Sequence, residues 1–117
     1  MRTIPIPVDV HRLRFTCAKA PRPRLANQDT GEIKTDKNGQ TIYEVILMAE
    51  DEFGRIELVR VNIAGEPAIA QGQNVVPKGM VGYVWEISQG GQQRWGISYK
   101  ATDIVDVSAV PGGGERV

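Results

Sequence analysis

Six cations, Arg2, Arg12, Arg14, Lys19, Arg22 and Arg24, fall within the first 24 residues against one acid, Asp9. Guanidinium and ammonium groups at this density suit the phosphate oxygens of a polyanion. Lys34, Lys37 and Arg60 continue the set at wider spacing, and Arg94 stands beside Trp95. Tyr43, Trp85, Trp95 and Tyr99 are the rings available for stacking on planar ligands. A basic groove with exposed rings is the chemistry of sequence-tolerant single-strand binding, in which each stacked base contributes about 1–3 kcal/mol. Tyr83, Trp85 and Ile87 alternate on one strand and Trp95, Ile97 and Tyr99 on another, so about half of the four stacking candidates are expected in the core.

Catalytic chemistry finds little to use. The single histidine, His11, has no carboxylate placed to orient it, and no serine stands in a nucleophile-elbow context. Cys17 shares an apolar alternation with Leu13 and Phe15, which marks it as a buried structural thiol. Glu50-Asp51-Glu52 lacks the spaced ligands of a calcium loop and leads into Phe53-Gly54, so it reads as a solvated hairpin turn. Gln89-Gly90-Gly91-Gln92 and Gly112-Gly113-Gly114 do not open a helix after a strand, as a phosphate-cradling loop must. The expectation is a protein that is not an enzyme and has no cofactor, metal or small-molecule substrate.

These residues need positioning elements, and the alternation supplies them. With 117 residues and 41% hydrophobic composition, the chain has the size of one domain with one core. Hydrophobic residues recur with period two, punctuated by Gly, Asn, Asp and Pro, which predicts antiparallel strands and no helix of normal length. A first strand over Val8 to Ala20 places Arg12 and Arg14 on one face, and Pro21-Arg22-Pro23-Arg24 suits an edge of the sheet or an exit from it. Turn signals at Asp29-Thr30-Gly31 and Asp36-Lys37-Asn38-Gly39 predict a projecting polar arm over about residues 21–41, with Asn38-Gly39 as its hairpin turn. Gln40 to Glu50 predicts a central strand, apolar on both faces, in a hairpin with Arg55 to Ile63. Residues 64–80 break the alternation with Gly65, Pro67, Gly72, Pro77 and Gly79, and a short helical turn is expected there. A second hairpin pairs Met80 to Ser88 with Arg94 to Ala101, and a last strand follows through Ile104, Val105 and Val107.

The predicted architecture is all-β, a five-stranded Greek-key barrel of the oligonucleotide-binding kind at residues 1–110, with SH3-like barrels and small sandwiches as alternatives. Residues 111–117 are expected to form a flexible tail. Lys plus Arg equals Asp plus Glu at 14 each, which excludes a histone-like binder working by bulk charge. Met1 to Val10 lacks a signal-peptide core, no stretch reaches transmembrane length, and one cysteine cannot form an internal disulfide. A cytoplasmic protein with no membrane partner is expected.

Gly65-Glu66-Pro67-Ala68-Ile69-Ala70-Gln71-Gly72, then Gly91-Gln92-Gln93-Arg94-Trp95-Gly96-Ile97-Ser98, and a strand ending in Asp106-Val107-Ser108-Ala109 give the chain a layout that resembles the single-stranded-DNA-binding, helix-destabilising proteins of filamentous phages and related mobile elements. The resemblance implies an oligonucleotide-binding barrel, a homodimer, and cooperative coating of single-stranded DNA during replication or transfer, with RNA as an alternative ligand. It would place Lys34 and Lys37 in a phosphate-contacting arm, Ile42 or Tyr43 against a base, and Arg94 on a hairpin reaching a dimer or DNA neighbour. The chain departs from that pattern in its longer N-terminus, its Pro-Arg-Pro-Arg segment and Glu44. Net neutrality and the Glu50-Asp51-Glu52 cluster favour the alternative, a protein-interaction or assembly module without a nucleic-acid role.

Overall fold

The computed structural model describes residues 4–27 and 29–109, so Arg2 and the predicted tail at 111–117 lie outside the described residues. Among the described residues the strands are β1 (Ile6–Pro7), β2 (Arg14–Pro23), β3 (Leu25–Asn27), β4 (Glu32–Ile33), β5 (Ile42–Glu50), β6 (Ile56–Ala64), β7 (Asn74–Lys78), β8 (Val81–Gln89), β9 (Gln92–Lys100) and β10 (Asp103–Asp106). Eight of them form one sheet in the order β1-β8-β9-β6-β5-β2-β7-β10, while β3 and β4 pair separately. The protein is mostly β, and its only helical pieces among the described residues are 3-10 turns at Val10–Arg12 and Val107–Ala109.

Both faces of β5 are largely apolar in sequence, and packing buries the one that carries Val45 and Leu47. Val45 and Leu47 are fully buried opposite Val61 and Val59 of β6, and Cys17 of β2 lies opposite Leu47 from the other side. Phe15, Ile63, Val75, Met80, Ala101 and Ile104 complete the core around them. The alternate residues, Glu44, Ile46 and Met48 on β5 and Leu58, Arg60 and Asn62 on β6, share the outer face.

β6 and β9 pair in parallel over only two positions, Val61 with Tyr99 and Asn62 with Lys100. β8 and β9 form a long antiparallel hairpin from Val81–Lys100 to Gln89–Gln92. The β7–β10 ladder, from Asp103–Lys78 to Asp106–Val75, continues that hairpin in unbroken register. β7 also pairs with β2, placing Phe15 opposite Val75 and Thr16 opposite Asn74.

Two turns of identical build close the predicted arm and the β5–β6 hairpin. In Asp36-Lys37-Asn38-Gly39 the Asp36 carboxylate accepts from the backbone N–H groups of Asn38 and Gln40, both at 2.9 Å. In Asp51-Glu52-Phe53-Gly54 the Asp51 carboxylate accepts from Phe53 at 2.8 Å and Arg55 at 2.9 Å. Each turn ends on a glycine with positive φ, 79° at Gly39 and 83° at Gly54, where a Cβ would be strained. Asn38 keeps a negative φ. The first of these is the predicted hairpin turn, bridged between Thr35 and Thr41, but with positive φ at Gly39 alone, because the Asp36 acceptor lets a single left-handed glycine close the loop.

Two expectations are corrected. Asp9 caps the 3-10 turn at Val10–Arg12 by accepting from the His11 N–H at 3.1 Å, so β2 starts at Arg14 and Arg12 has no place on a strand face beside it. Pro21 and Pro23 stand at the expected edge and exit: β2 ends at Pro23, and beyond Thr16 it pairs, among the described residues, with no strand other than β5. β2 reaches Pro23 by shifting register between Cys17 and Lys19 and again between Lys19 and Arg22, which leaves Ala18, Ala20 and Pro21 without β5 partners and spares Pro21 the N–H bond it cannot make. Residues 64–80 hold a strand and no helix: Val75, Val76 and Pro77 of β7 are buried between β2 and β10, and long-range pairing overrides the Gly and Pro punctuation.

Candidate functional site

The outer face of β5–β6 and the β8–β9 hairpin diverge below their two shared pairs, leaving an open groove of about 550 Å³. Arg24, Glu44, Leu58, Arg60, Asn62, Trp85, Ile87, Ile97, Ser98 and Tyr99 line it with Val59. A cross-strand glycine positions the central ring. Trp85 lies opposite Gly96, and a Cβ at Gly96 would stand 2.5 Å from the indole Cζ2. The indole therefore lies flat on bare backbone, with 40% of the residue still exposed. On the other face of the hairpin Tyr99 covers Gly82 in the same way, where a Cβ would approach its ring to 3.4 Å.

Arg24 is held by a closed set of backbone bonds at the root of the arm. Its N–H donates to Ile42 at 2.8 Å, its carbonyl accepts from Lys34 at 2.8 Å, and the Ile42 N–H donates to the Lys34 carbonyl at 2.9 Å. Arg60 comes from the outer face of β6 opposite Ile46. Neither guanidinium has an ion-pair partner among the described residues.

The remaining predicted residues divide by charge state and face. Arg12 pairs with Glu52 at 2.7 Å and Arg22 with Glu44 at 3.2 Å. Arg14 faces Glu50 across the β2–β5 ladder. Lys34 and Lys37 are exposed on the arm, away from the groove lining. Arg94 lies opposite Ile87, on the same face of the hairpin as Trp85 but nearer the tip. Tyr43 is half-buried against the core because it alternates with Val45 and Leu47, so it does not line the groove. Trp95 pairs with Glu86 on the opposite face from Trp85 and is 69% exposed, outside the groove.

The structure thus brings together Arg24, Arg60, Trp85 and Tyr99 of the sequence candidates. Glu44, Leu58, Asn62, Ile87 and Ile97 were not candidates, although the alternation that buries Val45 and Val61 also turns Glu44, Leu58 and Asn62 outward.

Two titrations are perturbed outside the groove. Burial pushes the Cys17 thiol above its ordinary range, and its Sγ donates to the Lys19 carbonyl at 3.1 Å. The Ser108 hydroxyl, with the Gln73 amide and the Ser108 N–H, holds the Asp106 carboxyl below its ordinary range. No group of three or more His, Cys, Asp or Glu side chains suited to a metal ion occurs among the described residues. No helix among them is long and apolar enough to cross a membrane.

No protein-family model and no curated protein matches the chain.

Proposed function

We propose that this protein is a non-enzymatic single-stranded-DNA-binding protein built on an oligonucleotide-binding barrel. The observation that carries the reading is the groove in which Trp85, backed by Gly96, stands with Arg24 and Arg60, two cations without an ion-pair partner among the described residues. A ring with one open face takes a stacked base, and flanking guanidiniums take phosphates.

The strand pairings support the barrel. If the continuous β7–β8 and β9–β10 segments count as two bent strands, β2, β5 and β6 bring the number to five. Their order is then β2, β5, β6, β9–β10 and β7–β8, with β7 returning to β2 through Phe15–Val75 and Thr16–Asn74. Oligonucleotide-binding barrels hold their ligand over the second and third strands, between the first and fourth connecting loops. The groove lies over β5 and β6, between the arm root at Arg24 and the β8–β9 hairpin.

The reading extends to a homodimer acting in the cytoplasm during replication or transfer of a mobile element. Val84, Trp95 and Ile97, exposed on the hairpin face that carries Trp95, favour association with a second copy or a protein partner.

Oligo-dT titrated at low salt into a Trp95→Phe variant quenches Trp85 emission. Arg24→Ala and Arg60→Ala each weaken binding and reduce the salt slope by about 1. Absence of quenching and of any mobility shift at about 100 μM protein, the weak limit of non-specific binding, overturns the reading. In that case, loss of oligomeric mass in Trp95→Ser would support the assembly module instead.

A further inference from the structure

The groove floor carries two hydrogen-bond acceptors in addition to its ring and cations. Glu44 and Asn62 are directly opposite on β5 and β6 and project from the same outer face. Directly opposite residues place their Cβ atoms about 4.5–5.5 Å apart, close enough for two side chains to reach one ligand edge. Glu44 gives Oε1 to Arg22 at 3.2 Å, and its Oε2 has no partner among the described residues. The Asn62 Oδ1 is buried with no donor among the described residues, so a ligand in the groove that Asn62 lines reaches it only as the side chain turns outward. An acceptor left in that condition is destabilising until something donates to it. Trp85 lies in the same groove, and Arg24 and Arg60 flank the pair.

We propose that this pair makes the groove selective for guanine, with Glu44 and Asn62 accepting from N1–H and the N2 amino group of a base stacked on Trp85. The inference rests on the nucleic-acid reading given above. Two adjacent acceptors match two adjacent donors, and guanine is the one common base with neighbouring donors on its pairing edge. Adenine and cytosine set one amino group beside an acceptor nitrogen, which would face an acceptor oxygen. Thymine and uracil place their single N–H between two carbonyls. Bases in unpaired strands offer this edge freely. Arg24 and Arg60 offset the charge that Glu44 would otherwise set against the backbone phosphates.

Single substitutions within an oligo-dT ligand test the selectivity against the wild-type protein. One central dG tightens binding about tenfold over dT, dA or dC, the discrimination typical of a two-bond base contact. Inosine, which keeps N1–H but lacks the amino group, loses most of that gain. Glu44→Ala brings the dG and dT ligands to the same affinity. Equal wild-type affinity for dG, inosine and dT overturns the selectivity and leaves single-strand binding standing. Failure of every oligonucleotide to bind overturns the nucleic-acid reading and the selectivity with it.

Discussion

Trp85 and Gly96 act as one unit, since the indole has its place only because residue 96 has no side chain. With a Cβ at residue 96 only 2.5 Å from the ring, Gly96→Ala must lift the indole or shift the hairpin. Overpacking of this kind costs about 1–3 kcal/mol. Denaturant unfolding should therefore give a lower midpoint for Gly96→Ala, together with a shift in tryptophan emission; an unchanged midpoint and spectrum would contradict the packing. Gly82→Ala should be milder, because the nearest atom to its Cβ is a side-chain methyl of Ile97 at 3.0 Å. At this scale the sequence offers Trp85 and Trp95 as equivalent rings. Only the register, which sets one opposite Gly96 and the other opposite Glu86, separates them.

The element scale is governed by the two aspartate-capped turns. The Asp51 carboxylate takes two backbone donors, at 2.8 and 2.9 Å, where the chain reverses from β5 into β6. Asp51→Ala removes both acceptors from an exposed turn where water replaces them in part, so the loss should be about 1–2 kcal/mol, with Asp51→Asn retaining most of it. Thermal unfolding of the two variants checks this, and equal destabilisation by Asn and Ala would exclude the capping role. Asp and Gly spaced three apart were visible as turn residues at both places. The acidic cluster was likewise legible as a turn, and the structure adds the occupation of each acid: Glu50 faces Arg14, Asp51 caps, and Glu52 pairs with Arg12.

Across the whole molecule, Asp106 joins segments far apart in sequence. Its carboxylate accepts from Gln73 and from Ser108, while the Gln73 Oε1 accepts from the Ala70 N–H at 2.8 Å. This ties the β6–β7 connection to the end of β10. Because these bonds favour the ionised carboxyl, its folded pKa lies below the unfolded value. The stability it contributes is then present above the ordinary aspartate range, about pH 4, and is lost as pH falls through the depressed folded value. Asp106→Asn should lower Tm at neutral pH and flatten the acid limb of Tm against pH. An acid limb unchanged by the substitution would remove Asp106 from the linkage.

Readable from the residues alone were the β class, the burial of Cys17 and the hairpin β5–β6. All of these follow from period-two alternation and turn chemistry, which act between near neighbours. Tertiary structure decided the rest. β7 exists because β2 and β10 pair with it across long stretches of chain, which no local pattern in Gln73 to Met80 announces. The groove exists because β6 and β9 meet at two positions and then diverge, bringing Arg24, Glu44, Arg60, Asn62 and Trp85 from four separate segments to one surface. Alternation assigns each residue a face of its own strand. Which faces come to adjoin is set by strand order and register, and those depend on contacts between residues distant in the chain.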